Sequence, residues 1–185
     1  MKLFLIGFVT LTSGLFLYLF FHLGFAKKVI NDGLVEETFY IIGTSHLGPY
    51  YKINAVIQDV ESWAQRMQIS CPFTFGLYLD NPHIADENRL RSEGGCISKQ
   101  PYPVEVHQQV LNSHYFTRKL EQKKYLKFSF SGSPAISPFK VYPAANDWFN
   151  ETGYPRGTAV LEIYKMNGNK MTTEYYFPIA QKEKQ

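Results

Sequence analysis

Cysteine is scarce: Cys71 and Cys96 are the only two in 185 residues. They allow one disulfide but no cysteine-based zinc site, and neither CxxC nor HExxH spacing occurs, so a structural zinc or a zincin is excluded. No metal and no cofactor is expected. Charge is also sparse, 19 Lys and Arg against 16 Asp and Glu for a net +3. The cations cluster only at Arg118-Lys119 with Lys123-Lys124 and in the tail QKEKQ. Such short clusters read as solvated faces, and no nucleic-acid partner is expected. His46, His83, His107 and His114 stand apart from any recognisable nucleophile, so nothing in the spacing marks an enzyme.

One long uncharged run is present. Residues 3–26, LFLIGFVTLTSGLFLYLFFHLGFA, would cross ~30 Å of hydrocarbon as a helix rising ~1.5 Å per residue. A cleaved secretory signal is the competing reading, because Gly24-Phe25-Ala26 precedes Lys27-Lys28 in a small-x-small pattern. The run exceeds the usual ~7–15 apolar residues of a signal and its second half is aromatic, which favours an uncleaved anchor in contact with the lipid bilayer. Lysines at both ends leave its orientation open. The expected organisation is an anchor at 1–28, a linker at 29–34, one domain at 35–180 and a polar tail at 181–185.

Within that domain, VEETFYIIGT (35–44) predicts a strand. Ile53, Val56, Ile57, Val60, Trp63 and Ala64 then repeat at three and four, the stripe of an amphipathic helix. FTFGLYLD (73–80) alternates as a strand does, and RLRSEGGCIS (89–98) predicts another, with Gly94-Gly95 marking a bulge or close backbone approach. Residues 101–124 allow a short helix plus a strand. From Tyr125 the order recurs: strand YLKFSFSGS, a helix at 137–152 that Pro143 should kink or shorten, and two strands. Trp63 and Trp148 fall on helix faces and read as core. Two strand-helix-strand-strand units imply an α+β domain, an antiparallel sheet with helices mainly on one side.

The last two strands, TAVLEIY and TTEYYFPIA, each carry one glutamate. Matching their apolar faces favours a three-residue loop, Asn167-Gly168-Asn169, which sets Glu162 opposite Glu174 on the side away from the helices. A solvated outer face is one reading. The other is a cleft lined by Tyr78, Tyr164 and Tyr176 with a carboxylate at its floor, suited to an organic cation through cation–π attraction and charge pairing. Tyr50, beside Gly48-Pro49, is a further candidate.

HLGPY (46–50), GLYLDNP (76–82), DWFNETGY (147–154), LEIY (161–164) and TEYYFPIA (173–180), in this order and spacing, resemble the gyrase-inhibitor-like, or effector-binding, domain, and the N-terminal run is similar to that of membrane-anchored members. The resemblance implies two pseudo-symmetric units around a cleft. It also implies a small-molecule ligand, bulky and cationic or aromatic, held by aromatic residues and a glutamate: Glu162 first, Glu174 second. No helix-turn-helix segment accompanies it, so a complete transcription regulator is not implied. A ligand-binding module is the leading reading; an adaptor with a vestigial cleft and a small hydrolase using paired carboxylates are the alternatives.

Overall fold

The computed structural model describes residues 2–180, with the side chains of residues 2, 3, 5, 6 and 9 outside that description. The expected tail at 181–185 also lies outside the described residues. The N-terminal run forms one helix, α1 (Lys2–Leu23). Among the described residues, no helix is long and apolar enough to cross a membrane. The end of α1 rests on the domain: Ser133 donates its backbone N–H to the Leu23 carbonyl at 3.1 Å, and the Lys140 ammonium donates to the carbonyls of Phe25 and Lys27.

The domain follows as β1 (Ile30–Leu47), a 3-10 turn (Tyr50–Lys52), α2 (Ile53–Arg66), β2 (Phe73–Tyr78), β3 (Arg91–Ser98), α3 (Val104–Leu111), β4 (Phe116–Ser131), α4 (Ser137–Thr152), β5 (Val160–Asn167) and β6 (Lys170–Pro178). Residues 30–34, expected as linker, are the first stretch of β1, where they pair with β4. The strands pair antiparallel in the order β1-β3-β2-β5-β6-β4, and β4 closes back onto β1. The expected antiparallel sheet is present, and it closes into a barrel. Both long strands make closure possible: β1 reaches β3 with one half and β4 along nearly its whole length, and bulges at Asn31/Gly33 and Glu37/Phe39 bend it.

Alternation along the strands divides the apolar side chains between two sides. Phe39, Ile41, Phe75, Leu77, Ile97, Leu161, Ile163 and Tyr176 fill the barrel interior. On the outer side, Ile42 and Cys96 pack with Val60 and Ala64 of α2, and Leu126, Phe128, Tyr175 and Phe177 pack with Val141 and Phe149 of α4. Gly94-Gly95 permits this closeness as expected. A Cβ at Gly94 would meet Ile57 at 2.9 Å, and one at Gly95, whose φ is 154°, would meet the Ile42 carbonyl at 2.2 Å. Cys71 and Cys96 form the one disulfide, with Cα atoms 5.1 Å apart, and it ties the segment after α2 to β3.

Helix α4 buries Ser137, Val141, Ala145 and Phe149, one residue per turn, and ends on Gly153 in the left-handed region with φ 67°. Pro143 does not shorten it. The carbonyl that Pro143 leaves without a donor belongs to Phe139, which is 79% exposed, so water can serve it.

Candidate functional site

The β5–β6 hairpin sets the geometry of the site and corrects the expected register. Asn167 pairs with Lys170 across a two-residue turn, Gly168-Asn169, in which Gly168 takes φ 59°. Glycine at the first central position is what a type II′ hairpin turn requires. Glu162 consequently lies opposite Tyr175, and Glu174 opposite Ile163. The two carboxylates point to opposite sides of the sheet, so they cannot share a proton or divide acid and base roles. The expected paired-carboxylate chemistry has no place here.

Glu162 shares its side with Val160 and Tyr175, beneath α4, rather than the side away from the helices. It is 5% exposed. Tyr164 donates its hydroxyl to one carboxylate oxygen at 3.0 Å, and Tyr142, reaching down from α4, donates to the other at 3.2 Å. The Tyr164 hydroxyl also lies 2.9 Å from that of Tyr78, and the Tyr175 hydroxyl lies 2.5 Å from Ser137 Oγ. Gly76 pairs with Glu162 across β2 and β5, and a Cβ at Gly76 would stand 3.0 Å from the Tyr78 hydroxyl. The missing side chain lets the Tyr78 ring fold over the strand toward the carboxylate.

Among the described residues no Lys, Arg or His forms an ion pair with Glu162. Burial pushes its carboxyl up to about 7, against hydrogen bonds from Tyr164, Tyr142 and Tyr175 that favour the ionised form. Burial, and then the nearby Glu162 charge, raise the phenols of Tyr78, Tyr142, Tyr164 and Tyr175, so all four remain protonated donors. Among the buried hydroxyls without a hydrogen-bond partner in the described residues are Ser92 Oγ and Thr173 Oγ1. Both are on this side of the sheet, Ser92 across from Tyr78 and Thr173 across from Tyr164. The result is a buried carboxylate within a polar, phenolic surround that still has unused hydrogen-bonding groups.

Tyr50 borders this cluster. Its ring meets Tyr78 edge to face at 4.8 Å, while its hydroxyl donates to the Asp80 carbonyl at 2.9 Å and accepts from the Asp80 N–H at 3.0 Å. Asp80 is held in turn by Arg91, whose guanidinium and backbone N–H both donate to it at 2.7 Å. Glu174 and Tyr176 are elsewhere. Glu174 is buried on the interior side, where Lys165 at 2.8 Å, Lys127 at 3.0 Å and the Tyr176 hydroxyl at 2.8 Å surround it. Burial raises its carboxyl, but the hydrogen bonds from Lys165, Tyr176 and Lys127 outweigh that and hold it below the usual carboxylate range. With its charge already matched by two lysines, Glu174 is a structural ion cluster.

The structure thus brings together Glu162, Tyr78, Tyr164 and Tyr50, and separates Glu174 and Tyr176 from them. It adds Tyr142 and Tyr175. Tyr175 was legible only as one of an apolar alternation, and Tyr142 flanks the buried stripe of α4 one residue after Val141. The two surface cavities described below do not include Glu162.

This fold, a barrel backed by two helices, has relatives. Residues 35–180 match the family profile of the GyrI-like small molecule binding domain, and the chain belongs to that family. Its members are ligand-binding effector domains rather than enzymes. The fold is similar to the crystal structure of the EcmrR C-terminal domain, at a TM-score of 0.61 and 15% identity, covering 84% of this chain and 98% of that one. It is also similar to SAV2435 bound to tetraphenylphosphonium, at a TM-score of 0.52 and 11% identity, covering 83% and 94%. An EcmrR–DNA complex matches at a TM-score of 0.59 and 14% identity, with 84% of this chain covering 58% of that one. No curated protein matches the chain by sequence.

Proposed function

We propose that the domain binds a bulky, hydrophobic organic cation at Glu162, with Tyr78, Tyr142, Tyr164 and Tyr175 supplying aromatic faces. The observation that carries this reading is a carboxylate 5% exposed and without an ion-pair partner among the described residues. An uncompensated buried charge is costly, and a cation lacking strong hydration is the partner that would relieve it at least desolvation cost. The tetraphenylphosphonium bound to SAV2435 is a cation of that class. Access requires the Tyr142 and Tyr164 hydroxyls, which occupy the two carboxylate oxygens, to swing aside and free the carboxylate for the ligand. The two strand-helix-strand-strand units would act as two walls of this cleft, as the internal repeat read from their order implies.

Residues 3–26 are part of the proposal as a membrane anchor. The support is the sequence, in which residues 3–26 are uncharged throughout, including positions 3, 5, 6 and 9 whose side chains lie outside the described residues that fall short of a span, together with outward apolar side chains on α1, Phe4 at 83%, Leu11 at 74% and Phe16 at 67% exposure. The Cys71–Cys96 disulfide supports placing the domain on an oxidising side of that membrane.

One observation favours a second reading, an adaptor whose cleft is vestigial: the Glu162 oxygens are already served by phenols, and neither cavity reaches them. Calorimetric titration of tetraphenylphosphonium into the full chain in lipid discs separates the two. The ligand reading expects saturable binding that Glu162→Gln abolishes; no binding to the wild type, or equal binding to the variant, favours the adaptor.

A further inference from the structure

The barrel has a second chemically distinct opening, on the interior side of the sheet and so across it from Glu162. A cavity of about 370 Å³ lies there, within the ~300–1,000 Å³ of small-molecule sites. Leu77, Leu161, Tyr125 and Tyr176, all members of the interior cluster, form its apolar lining, with Leu120 and Ala159 beside them. Its rim is cationic: Arg118, Lys119 and Lys123 against the single carboxylate Glu121. A neighbouring cavity of about 760 Å³ shares Lys123, Ala159 and Pro178 with it and adds Lys124 and, across the ladder from it, Glu36.

The rim cations are not equivalent. Arg118 is paired with Glu93 and Lys119 with Glu121 at 3.0 Å. Lys124 sits 5.7 Å over the Tyr154 ring. Lys123 is exposed and has no ion pair among the described residues. An apolar recess with one unmatched ammonium at its mouth complements a molecule with a hydrocarbon tail and a single negative charge. We propose that this groove binds a small amphiphilic carboxylate, its tail among Leu77, Leu120, Leu161 and Tyr176 and its head on Lys123. A cation would meet repulsion at this rim, so the ligand class is the opposite of that proposed for Glu162.

Titration of octanoate into the full chain in lipid discs, with empty discs as the blank and octyltrimethylammonium as the cationic counterpart, tests this. Saturable octanoate binding is expected, without binding of the ammonium at this site. Lys123→Glu should weaken octanoate at least tenfold, and Ala159→Trp, which fills the recess, should abolish it; unchanged thermal midpoints establish that both variants fold. Glu162→Gln should leave octanoate binding as it is, and neither Lys123→Glu nor Ala159→Trp should change the affinity for tetraphenylphosphonium, so the two sites fail or stand separately. Absence of octanoate binding, equal affinity for the ammonium in the recess, or octanoate affinity unmoved by both groove variants would overturn the proposal.

Discussion

Replacing Glu162 by Gln should make the domain more stable at neutral pH, and should do so only above the range of an ordinary carboxylate. The folded protein holds the Glu162 proton up to about 7, against 4.5 for the free side chain. Between those values the native state carries more protons than the unfolded chain, so stability falls as pH rises. The loss begins near 4.5, is complete near 7 and stays constant beyond. At ~1.36 kcal/mol per pH unit, the interval amounts to roughly 3 kcal/mol, or roughly 6–12 °C in the midpoint of a domain this size. The groups around the carboxylate are Tyr78, Tyr164, Tyr175 and, from α4, Tyr142, all phenols that stay protonated throughout this window. Melting curves of wild type and variant at half-unit steps from pH 4 to 9 give the difference directly, and other titrating groups cancel in it. The difference should be near zero or slightly unfavourable to Gln at pH 4 and should rise through pH 5–7 to a plateau. A flat difference, or one that favours the wild type as pH rises, would refute the claim that burial dominates at Glu162. The same linkage makes tetraphenylphosphonium bind more tightly as pH rises toward 7, with a proton released on binding below that pH.

Tyr142→Phe removes the 3.2 Å hydrogen bond to the carboxylate and should cost about 1.5–3 kcal/mol in urea titrations at pH 8, and little at pH 5 where Glu162 is protonated. Glu174 behaves in the opposite sense: its folded carboxyl is held low, so its stabilisation is present above the ordinary carboxylate range and is lost as pH falls. Lys165→Met, which removes the 2.8 Å pair, should therefore destabilise by roughly 1–3 kcal/mol at pH 7 and progressively less toward pH 3 in the same assay. Gly95→Ala should cost about 3 kcal/mol or more, since it forces a Cβ to 2.2 Å from the Ile42 carbonyl at φ 154°; a midpoint within a degree of wild type would contradict that packing. Reduction of Cys71–Cys96, 25 residues apart, should lower stability by about 3.5 kcal/mol on the chain-entropy estimate, measured by melting with and without reductant.

Much of this fold follows from periodicity visible in the residues themselves. The three-and-four spacing of Ile53, Ile57, Val60 and Ala64 is the buried face of α2, and Gly94-Gly95 is the place where that helix meets the sheet. Barrel closure was not legible, because it depends on a β1–β4 ladder that spans residues 116–129 of β4, and much of that span is the polar stretch TRKLEQKK, which lacks the alternation that marks a half-buried strand. The strand forms there because the ladder with β1 supplies its hydrogen bonds. That Pro143 leaves α4 its full length was not legible for a related reason: the cost depends on whether the freed carbonyl can find water, which the exposure of Phe139 reveals.

The hairpin register carries the largest consequence. An Asn-Gly dipeptide is a strong turn signal, and Met-Asn-Gly-Asn-Lys contains it, yet the residues that turn are Gly168 and Asn169. Because side chains alternate with period two, shifting the loop by one residue moves every β6 side chain to the other side of the sheet relative to β5. With the three-residue loop, two carboxylates would face each other and need open solvent, a shared proton or a cation. With the observed turn, Glu174 enters the interior beside Lys127 and Lys165, while Glu162 goes under α4 among phenols. The slip thus converts one strained pair into two independent environments, an acid neutralised by lysines on one side and an acid without an ion-pair partner on the other. A single-residue change in the turn is therefore a test of the whole site: inserting one glycine after Gly168 should either be absorbed as a bulge, leaving the Glu162 titration near 7 in place, or shift the register and abolish it together with cation binding.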